Sequence, residues 1–222
     1  MNIDEYIIRK ITTNNYYIRD KYPQYFAPEV KPYMTKNWFP RKSSNNSTNN
    51  DWIDDLNQEL PKNFYENRRA GQNDSYICQL IQRDSVNEFI QYSDEYVSLV
   101  DSIKPSIYET NILLLSKTDV KLIEYSIFFG SLNIFNYLVN EGVELQSSMW
   151  PYVIYGNNAE MIQIFKDQFI NDISYNNCLL ESIECHRNDL VSYFTSQIED
   201  DKNKQSQNNN AVSTAGAKSA NS

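Results

Sequence analysis

The chain has little cysteine, glycine or histidine, and each shortage excludes a class of protein. Its 222 residues include only three cysteines, Cys78, Cys178 and Cys185. Such a sparse, odd set does not build a disulfide framework and is typical of a reducing compartment. The five glycines form neither a GxxxxGK nor a GxGxxG phosphate-binding loop, and there is no nucleophile elbow.

Long apolar runs and an excess of basic residues are also missing. No stretch approaches the roughly 18 consecutive apolar residues of a membrane span, and the acidic start MNIDEYIIRK is not a secretory signal. The 29 acidic and 20 basic residues give a net charge of −9, which argues against a nucleic-acid partner with its phosphate backbone. We therefore expect a cytoplasmic protein that binds neither membranes nor nucleic acids.

One cluster of reactive side chains deserves a test, namely Cys178, Cys185 and His186, the single histidine. The two cysteines lie seven residues apart, whereas zinc sites use cysteines two to four residues apart. Neighbours on a helix point about 100° apart, so Cys185 and His186 do not form a nucleophile–base pair there. We expect these two residues to end a helix at a turn. We predict no enzyme, cofactor or metal site, and keep a Cys/His-dependent enzyme as a remote alternative.

The segment 121–145, KLIEYSIFFGSLNIFNYLVNEGVEL, contains two short apolar runs at helical spacing. Gly130 ends the first run and Gly142 ends the second, which predicts two short helices joined by a tight turn. Two such helices cannot bury both apolar faces against each other, so a unit of this kind needs similar neighbours. The pattern therefore predicts a stack of helix pairs.

The same pattern recurs in the second half of the chain. A polar residue followed by two apolar residues begins a second helix at Asn133, Glu160 and Asp189, with offsets of 27 and 29 residues. A weaker copy at Asn87 lies 46 residues before Asn133. That larger spacing leaves room for an insertion at residues 97–117, in which a proline separates two short runs that could be extended.

The segment 121–145 resembles the ankyrin repeat, in which a helix opening with T-P-L-H-x-A is followed by a glycine turn and a second helix. The positions that match this pattern are Ile123, Ser126, Gly130, Ile134, Leu138 and Gly142. Lys121, Leu122 and Glu124 stand where ankyrin repeats have threonine, proline and histidine. The hydroxyl–imidazole network that joins ordinary ankyrin repeats is therefore absent here.

Longer strings are similar to a degenerate-ankyrin domain of unknown function, found in large protist families of ankyrin-repeat proteins, usually ahead of ordinary ankyrin repeats. These strings are YPQYFAPEVKP, NFYENRRAGQNDSYICQLI, KPSIYETN, LIEYSIFFGSLNIF and CLLESIECHRNDL. The resemblance spans about residues 20–196 and implies a fold but no chemistry, because that family has no assigned activity. After Gln197 the repeats stop, which departs from the family pattern.

We predict an all-α fold, an ankyrin-like α-solenoid of about four stacked helix pairs with a finger-like insertion, preceded by a helix and an aromatic, proline-rich arm. Prolines interrupt helices and low-complexity polar stretches cannot build a core, so changes in composition set the domain boundaries. The predicted segments are 1–41 (helix and aromatic arm), 42–50 (Asn/Ser linker), 51–72 (short helical connector), 73–197 (degenerate ankyrin-repeat domain) and 198–222 (disordered tail).

The resemblance also implies a binding surface, because the first helices of an ankyrin stack line a concave groove. By alignment, its exposed positions are Tyr125, Phe128, Tyr152, Tyr155, Glu181 and Glu184. Aromatic side chains give a large contact area at low entropy cost, which is why interfaces favour them. The implied function is a non-catalytic protein–protein interaction module for an unidentified protein or peptide.

An alternative gives this groove to the chain itself. The N-terminal arm carries Tyr25, Phe26, Tyr33 and Trp38, and it could fold back over the groove, since an exposed aromatic patch promotes aggregation. The chain would then be a self-covered structural or capping domain with no independent binding role, because the terminal repeats of a stack are atypical.

Overall fold

The computed structural model describes residues 24–32, 59–169 and 172–219, with side chains in the last range described through Asn203. Within these ranges the regular elements are helices, and the only strand-like pairing is an isolated antiparallel bridge between Ser102 and Lys121. The predicted all-α class is confirmed. The predicted N-terminal helix, the 42–50 linker, the first part of the 51–72 connector and most of the aromatic arm lie outside the described residues.

Eleven α-helices are found in the described part of the chain. In order they are α1 (Ala27–Val30), α2 (Phe64–Ala70), α3 (Tyr76–Gln82), α4 (Val86–Tyr96), α5 (Ile112–Leu115), α6 (Leu122–Phe129), α7 (Leu132–Asn140), α8 (Trp150–Gly156), α9 (Ala159–Gln168), α10 (Tyr175–Glu184) and α11 (Asn188–Ser219). A short 3-10 helix at Ser147–Met149 leads into α8.

Contacts divide the chain into two compact units. Unit 1 contains the described residues up to Ser75 together with Lys104–Thr118, and unit 2 contains Tyr76–Ile103 and the described residues from Asp119 onward. The sequence predicted one repeat domain over 73–197 with residues 97–117 as its insertion. The structure instead divides that insertion, because its second part packs with the residues before Ser75.

Unit 1 is held together around α2 and the segment that follows residue 104. Phe64 is buried and packs edge-on against Tyr108, with ring centroids 5.8 Å apart. Both the amide and the hydroxyl of Thr110 donate to the carbonyl of Gly71, at 3.1 and 2.9 Å. The sequence suggested two runs in the insertion that could be extended, and the second of them is in part helical, because Asn111 accepts a hydrogen bond from the Leu113 amide and starts the helix α5.

Unit 2 contains four helix pairs, α3/α4, α6/α7, α8/α9 and α10/α11, and the two helices of each pair pack against each other. The first helices also pack side by side in the order α3, α6, α8 and α10, and α4 packs against α7. Residues 122–128 of α6 are all buried, including the polar residues Glu124 and Ser126, as expected for a helix with neighbours on every side.

A residue in the left-handed conformation joins the two helices of every pair. These turn residues are Asp84, Gly130, Asn157 and His186, with φ of 52°, 66°, 56° and 55°. Asp84 and Gly130 lie 46 residues apart, and the next two spacings are 27 and 29 residues, the offsets expected from the sequence. His186 is thus the turn residue at the end of a helix, as predicted.

The turns share their backbone hydrogen bonds as well as their φ angle. The residue after the turn residue donates to the carbonyl five positions earlier in the first, second and fourth pairs, from Ser85, Ser131 and Arg187 at 3.0, 2.9 and 2.8 Å. This is the Schellman geometry of helix ends. Residues at the same distance from each turn residue are therefore structurally equivalent, and we call them equivalent positions.

Side chains link each turn to the next pair. The Ser131 hydroxyl donates to the Ile81 carbonyl at 2.6 Å, and the Asn158 amide group donates to the Gly130 carbonyl at 3.2 Å. The Asp84 carboxylate accepts from the backbone amides of Asn133 and Ile134, both at 3.0 Å. These bonds fix the register between neighbouring pairs, because each satisfies a backbone group that a helix end leaves without a partner.

The backbones of the second and third pairs come unusually close together. A Cβ atom placed on Gly156 would collide with the carbonyl oxygen of Ile127 and would lie 3.2 Å from that of Phe128. Glycine is therefore required at this point for packing rather than for a left-handed conformation.

The last helix differs from the prediction for residues 198–222. The sequence predicted a disordered tail, whereas the backbone of α11 remains helical through Ser219. No proline interrupts this stretch, so nothing in it removes a helical backbone donor.

Candidate functional site

The predicted binding positions form two rows on the first helices of unit 2. Five residues before the turn residue stand Tyr125, Tyr152 and Glu181, and two residues before it stand Phe128, Tyr155 and Glu184. The members of each row therefore occupy equivalent positions in their helix pairs. Their exposure, however, differs from what the sequence predicted.

Tyr125, Phe128 and Tyr152 are buried, so the prediction that they form an exposed surface was wrong. The Tyr125 hydroxyl accepts a hydrogen bond from the Gln82 side chain at 2.9 Å. The ring of Phe128 stacks on that of Tyr155, with centroids 4.1 Å apart and planes 12° apart. These aromatic side chains join one helix pair to the next, which places them in the core.

The pKa of Tyr152 is strongly raised. Burial raises its pKa to about 12, and the negative charges of Glu124 and Asp119 add to the shift. Glu124 is itself buried and its carboxylate accepts the backbone amide of Lys121 at 2.8 Å, which caps the first turn of α6. Tyr152 and Glu124 therefore have a structural role in the buried surroundings of the start of α6.

Tyr155, Glu181 and Glu184 remain accessible. Tyr155 is 45% exposed, Glu181 is half-buried and Glu184 is exposed. Glu181 and Glu184 lie three residues apart on α10, which makes them neighbours on the helix surface. Burial raises the pKa of Glu181, and the charge of Glu184 raises it further. Half of the predicted surface thus survives, and it is more acidic than the sequence implied.

The described part of the aromatic arm packs within unit 1. The Arg68 guanidinium lies 4.7 Å from the ring centroid of Tyr25 and 6.0 Å from that of Phe26, and it pairs with Glu29 at 2.8 Å. These contacts are cation–π and ionic contacts to α2. Tyr33 and Trp38 lie outside the described residues, so the predicted cover of the groove by them is not tested.

Sequence reasoning missed two accessible apolar residues on α10. Leu180 is 61% exposed and Ile183 is 51% exposed. A signal was present, because the position three residues before the turn residue is isoleucine in all four pairs, as Ile81, Ile127, Ile154 and Ile183. This recurrence of isoleucine can be recognised only once the turn residues are known, since the spacing between pairs is irregular.

The cysteine–histidine cluster does not have the properties of a nucleophilic site. Cys178 is buried, and burial raises its pKa to about 12, with a smaller contribution from Glu181. Burial also raises the pKa of Cys185, and Glu181 and Glu184 add to that shift. A catalytic cysteine needs a lowered pKa, whereas both thiols are held in the neutral form.

Comparison with known proteins gives no relative: no family model, curated protein or solved structure matches this chain. In the residues that the structure describes, no helix has the length and apolar character needed to cross a membrane. Within the same residues, no group of three or more histidine, cysteine, aspartate or glutamate side chains is arranged to hold a metal ion.

Proposed function

We propose that this chain is a non-catalytic protein–protein interaction module built on an ankyrin-like stack of helix pairs. The observation that carries the proposal is the repeated pair itself. Four pairs share one turn conformation, and their first helices pack side by side in chain order. A stack of this kind presents side chains from successive first helices on one continuous surface, which suits it to binding extended partners.

The accessible side chains of α8 and α10 support a binding role. Tyr155, Leu180 and Ile183 are partly exposed on neighbouring first helices, with Glu181 and Glu184 beside them. Aromatic and aliphatic residues next to charged ones are the composition of an interface core with its polar rim. The partner is a protein or peptide, because a net charge of −9 repels nucleic acid, and we place the protein in the cytoplasm.

A second candidate is the self-covered structural or capping domain. The burial of Tyr125, Phe128 and Tyr152 favours it, because residues that would line a free groove are instead part of the core. In that case the chain has no independent binding role, and its value lies in stabilising a larger assembly.

The two candidates differ in what the accessible residues do. We would express the chain with an affinity tag in its native cell and compare it with the variant Tyr155→Ser, Glu181→Ser, Glu184→Ser by quantitative mass spectrometry. The interaction module predicts that a specific partner is lost while the thermal midpoint falls no further than in Tyr155→Ser alone, which measures the lost stacking on Phe128. A large fall in the thermal midpoint, with no partner lost, would instead support the self-covered domain.

A matched control tests whether the partner is lost because of these particular positions or because exposed tyrosine and glutamate side chains have been removed. Tyr65 and Glu66 are exposed on α2 of unit 1, so the variant Tyr65→Ser, Glu66→Ser removes the same chemistry elsewhere. It should keep the partner. For the remote alternative of a Cys/His-dependent enzyme, alkylation of the folded protein is decisive, since rapid labelling of Cys185 at neutral pH would contradict a non-catalytic role.

A further inference from the structure

The position three residues before the turn residue changes its environment only in the last pair. Ile81, Ile127 and Ile154 are each 0% exposed, whereas Ile183 is 51% exposed. The side chain is the same in all four cases, so the difference comes from the neighbours. In each of the first three pairs the first helix packs against the first helix of the next pair, and the Ile127 carbonyl lies close to Gly156.

Two further rows of equivalent positions behave in the same way. Six residues before the turn residue, Cys78 and Glu124 are buried, Pro151 is half-buried and Leu180 is 61% exposed. Five residues after it, on the second helices, Phe89, Phe135 and Ile162 are buried and Val191 is half-buried. In all three rows, the residue of the last pair, on α10 or α11, is therefore more exposed than the equivalent residues of the other pairs.

We define the end face of unit 2 as Leu180, Ile183, Glu184 and Val191. Leu180, Ile183 and Glu184 lie three and four residues apart on α10, which puts them on one side of that helix. Each of the first three first helices has the first helix of the following pair packed beside it, and the residues equivalent to Ile183 are buried there. After α10 the described chain continues as the single helix α11.

The charges near the end face indicate which kind of helix can cover it. Glu181 lies beside Glu184 on α10, and the two carboxylates repel each other. Arg187, which follows α10, pairs with Asp189 at 3.0 Å. A second copy of the chain would bring another set of acids and another net charge of −9 to the same place, which opposes self-association.

We propose that the end face docks a basic amphipathic helix of a partner protein, whose apolar stripe covers Leu180 and Ile183 and whose lysine or arginine side chains reach Glu181 and Glu184. This inference rests on the proposed function and names the chemistry of its partner. The apolar contact supplies affinity, and the opposite charges select basic helices over acidic ones.

The test uses synthetic peptides of about 18 residues, long enough for five helical turns. One peptide has leucines at helical spacing flanked by lysines. A second replaces the lysines with glutamates, and a third keeps the composition of the first but scrambles the leucine positions. Fluorescence anisotropy at about 0.15 M ionic strength should show the first peptide binding at least about tenfold more tightly than either of the others.

Variants of the chain then locate the site. Leu180→Asp with Ile183→Asp should weaken the first peptide by about tenfold or more, although these changes add negative charge that would strengthen a purely electrostatic attraction. Glu181→Gln with Glu184→Gln should weaken it by about threefold to tenfold. Ile112 on α5 is 81% exposed, so Ile112→Asp is the matched control for added charge and should not weaken binding.

Several results would overturn the inference. One is equal binding of the scrambled peptide. A second is full binding of the first peptide by the Leu180→Asp, Ile183→Asp variant with an unchanged thermal midpoint. A third is a dimer in sedimentation velocity that this variant abolishes. The last result would assign the face to a second copy. If the native partner is lost from the Tyr155, Glu181, Glu184 variant but kept by the Leu180→Asp, Ile183→Asp variant, the inference fails and the proposed function stands. If neither variant loses a partner, the proposed function fails.

Discussion

The helices α6 and α10 occupy the same place in their pairs but have opposite surroundings. Residues 122–128 of α6 are all buried, whereas only Cys178 and Ser182 are buried on α10. Both helices end in the same left-handed turn, at Gly130 and at His186. Among the described residues, α6 has a helix pair on each side, while α10 has one on a single side.

This comparison shows that burial in a stack is a property of the neighbours as much as of the residue. An isoleucine three residues before the turn contributes to the core in one pair and to the surface in another. The hydrophobic effect depends on the area removed from water, so the same side chain has a different energetic value at the two places. Substitutions at equivalent positions therefore measure how much the packing of the following pair stabilises each pair.

The largest effect is expected where two pairs come closest. Gly156→Ala would press a methyl group against the Ile127 carbonyl, and no rotation of a side chain relieves a contact with backbone. We expect the free energy of unfolding to fall by more than about 3 kcal/mol, measured by urea denaturation. Gly142 has φ of 88° but no atom near its Cβ position, so Gly142→Ala should cost only backbone strain, about 1–2 kcal/mol. Equal costs at the two sites would contradict the close approach.

The comparison itself is measured most directly by two alanine substitutions. Ile127→Ala removes buried methyl groups between the second and third pairs and should cost about 2–3 kcal/mol of unfolding free energy. Ile183→Ala removes the same atoms from the half-exposed equivalent position and should cost less than about 0.5 kcal/mol. The difference between the two midpoints in urea is the quantity of interest. Similar costs would mean that the last pair is supported on both sides.

The sequence predicted the parts of this arrangement that depend on local pattern. The offsets of 27 and 29 residues recur in the turn residues, and the glycine at 130 marks a real helix end. The turn role of His186 followed from the same alignment. These features could be predicted because the turn and the helix periodicity are set by residues close together in the chain.

The parts that depend on distant neighbours could not be predicted. Nothing in the sequence around Tyr125 says that Gln82 reaches its hydroxyl, or that Asp84 caps a helix about fifty residues away. The exposure of the two predicted rows depends on such contacts. For the same reason the helix α5 was not predicted, since the second part of the insertion packs into unit 1 and is helical where the sequence had suggested an extended run.

Alkaline pH tests the burial of Tyr152 between the helix pairs. The pKa of Tyr152 is raised to about 12, whereas a tyrosine in the unfolded chain ionises near 10. Below pH 10 both states are neutral and stability does not depend on this group. Between pH 10 and 12 the unfolded chain ionises first, so the free energy of unfolding falls as the pH rises, on the order of 1 kcal/mol per pH unit.

The variant Tyr152→Phe removes this group without removing the ring. Its urea midpoint should therefore fall less steeply than that of the parent chain above pH 10. Other tyrosines with raised pKa, such as Tyr193, leave part of the slope in place. Parallel curves for the two proteins between pH 9 and 11.5 would show that Tyr152 ionises in the folded state as it does in the unfolded chain.

A smaller effect is expected at the first turn. Asp84→Ala leaves the backbone amides of Asn133 and Ile134 without their acceptor, which should cost about 1–2 kcal/mol. Asp84→Asn keeps one oxygen acceptor and tolerates the left-handed conformation, so it should cost less than the alanine variant. If both variants match the parent in urea denaturation, the carboxylate does not couple the first pair to the second.

The smallest effect belongs to the turn of the last pair, where no following pair depends on the turn residue. His186 adopts φ of 55°, which glycine adopts without the clash of a Cβ atom. His186→Gly should therefore raise the free energy of unfolding by about 0.5 kcal/mol, because relief of strain exceeds the added entropy of the unfolded chain. Asp84→Gly relieves the same strain but should still be a net loss, since it removes the bonds to α7. Urea denaturation of the two glycine variants thus gives opposite signs if the last pair is an open end, and a loss at both turns if His186 supports a neighbour.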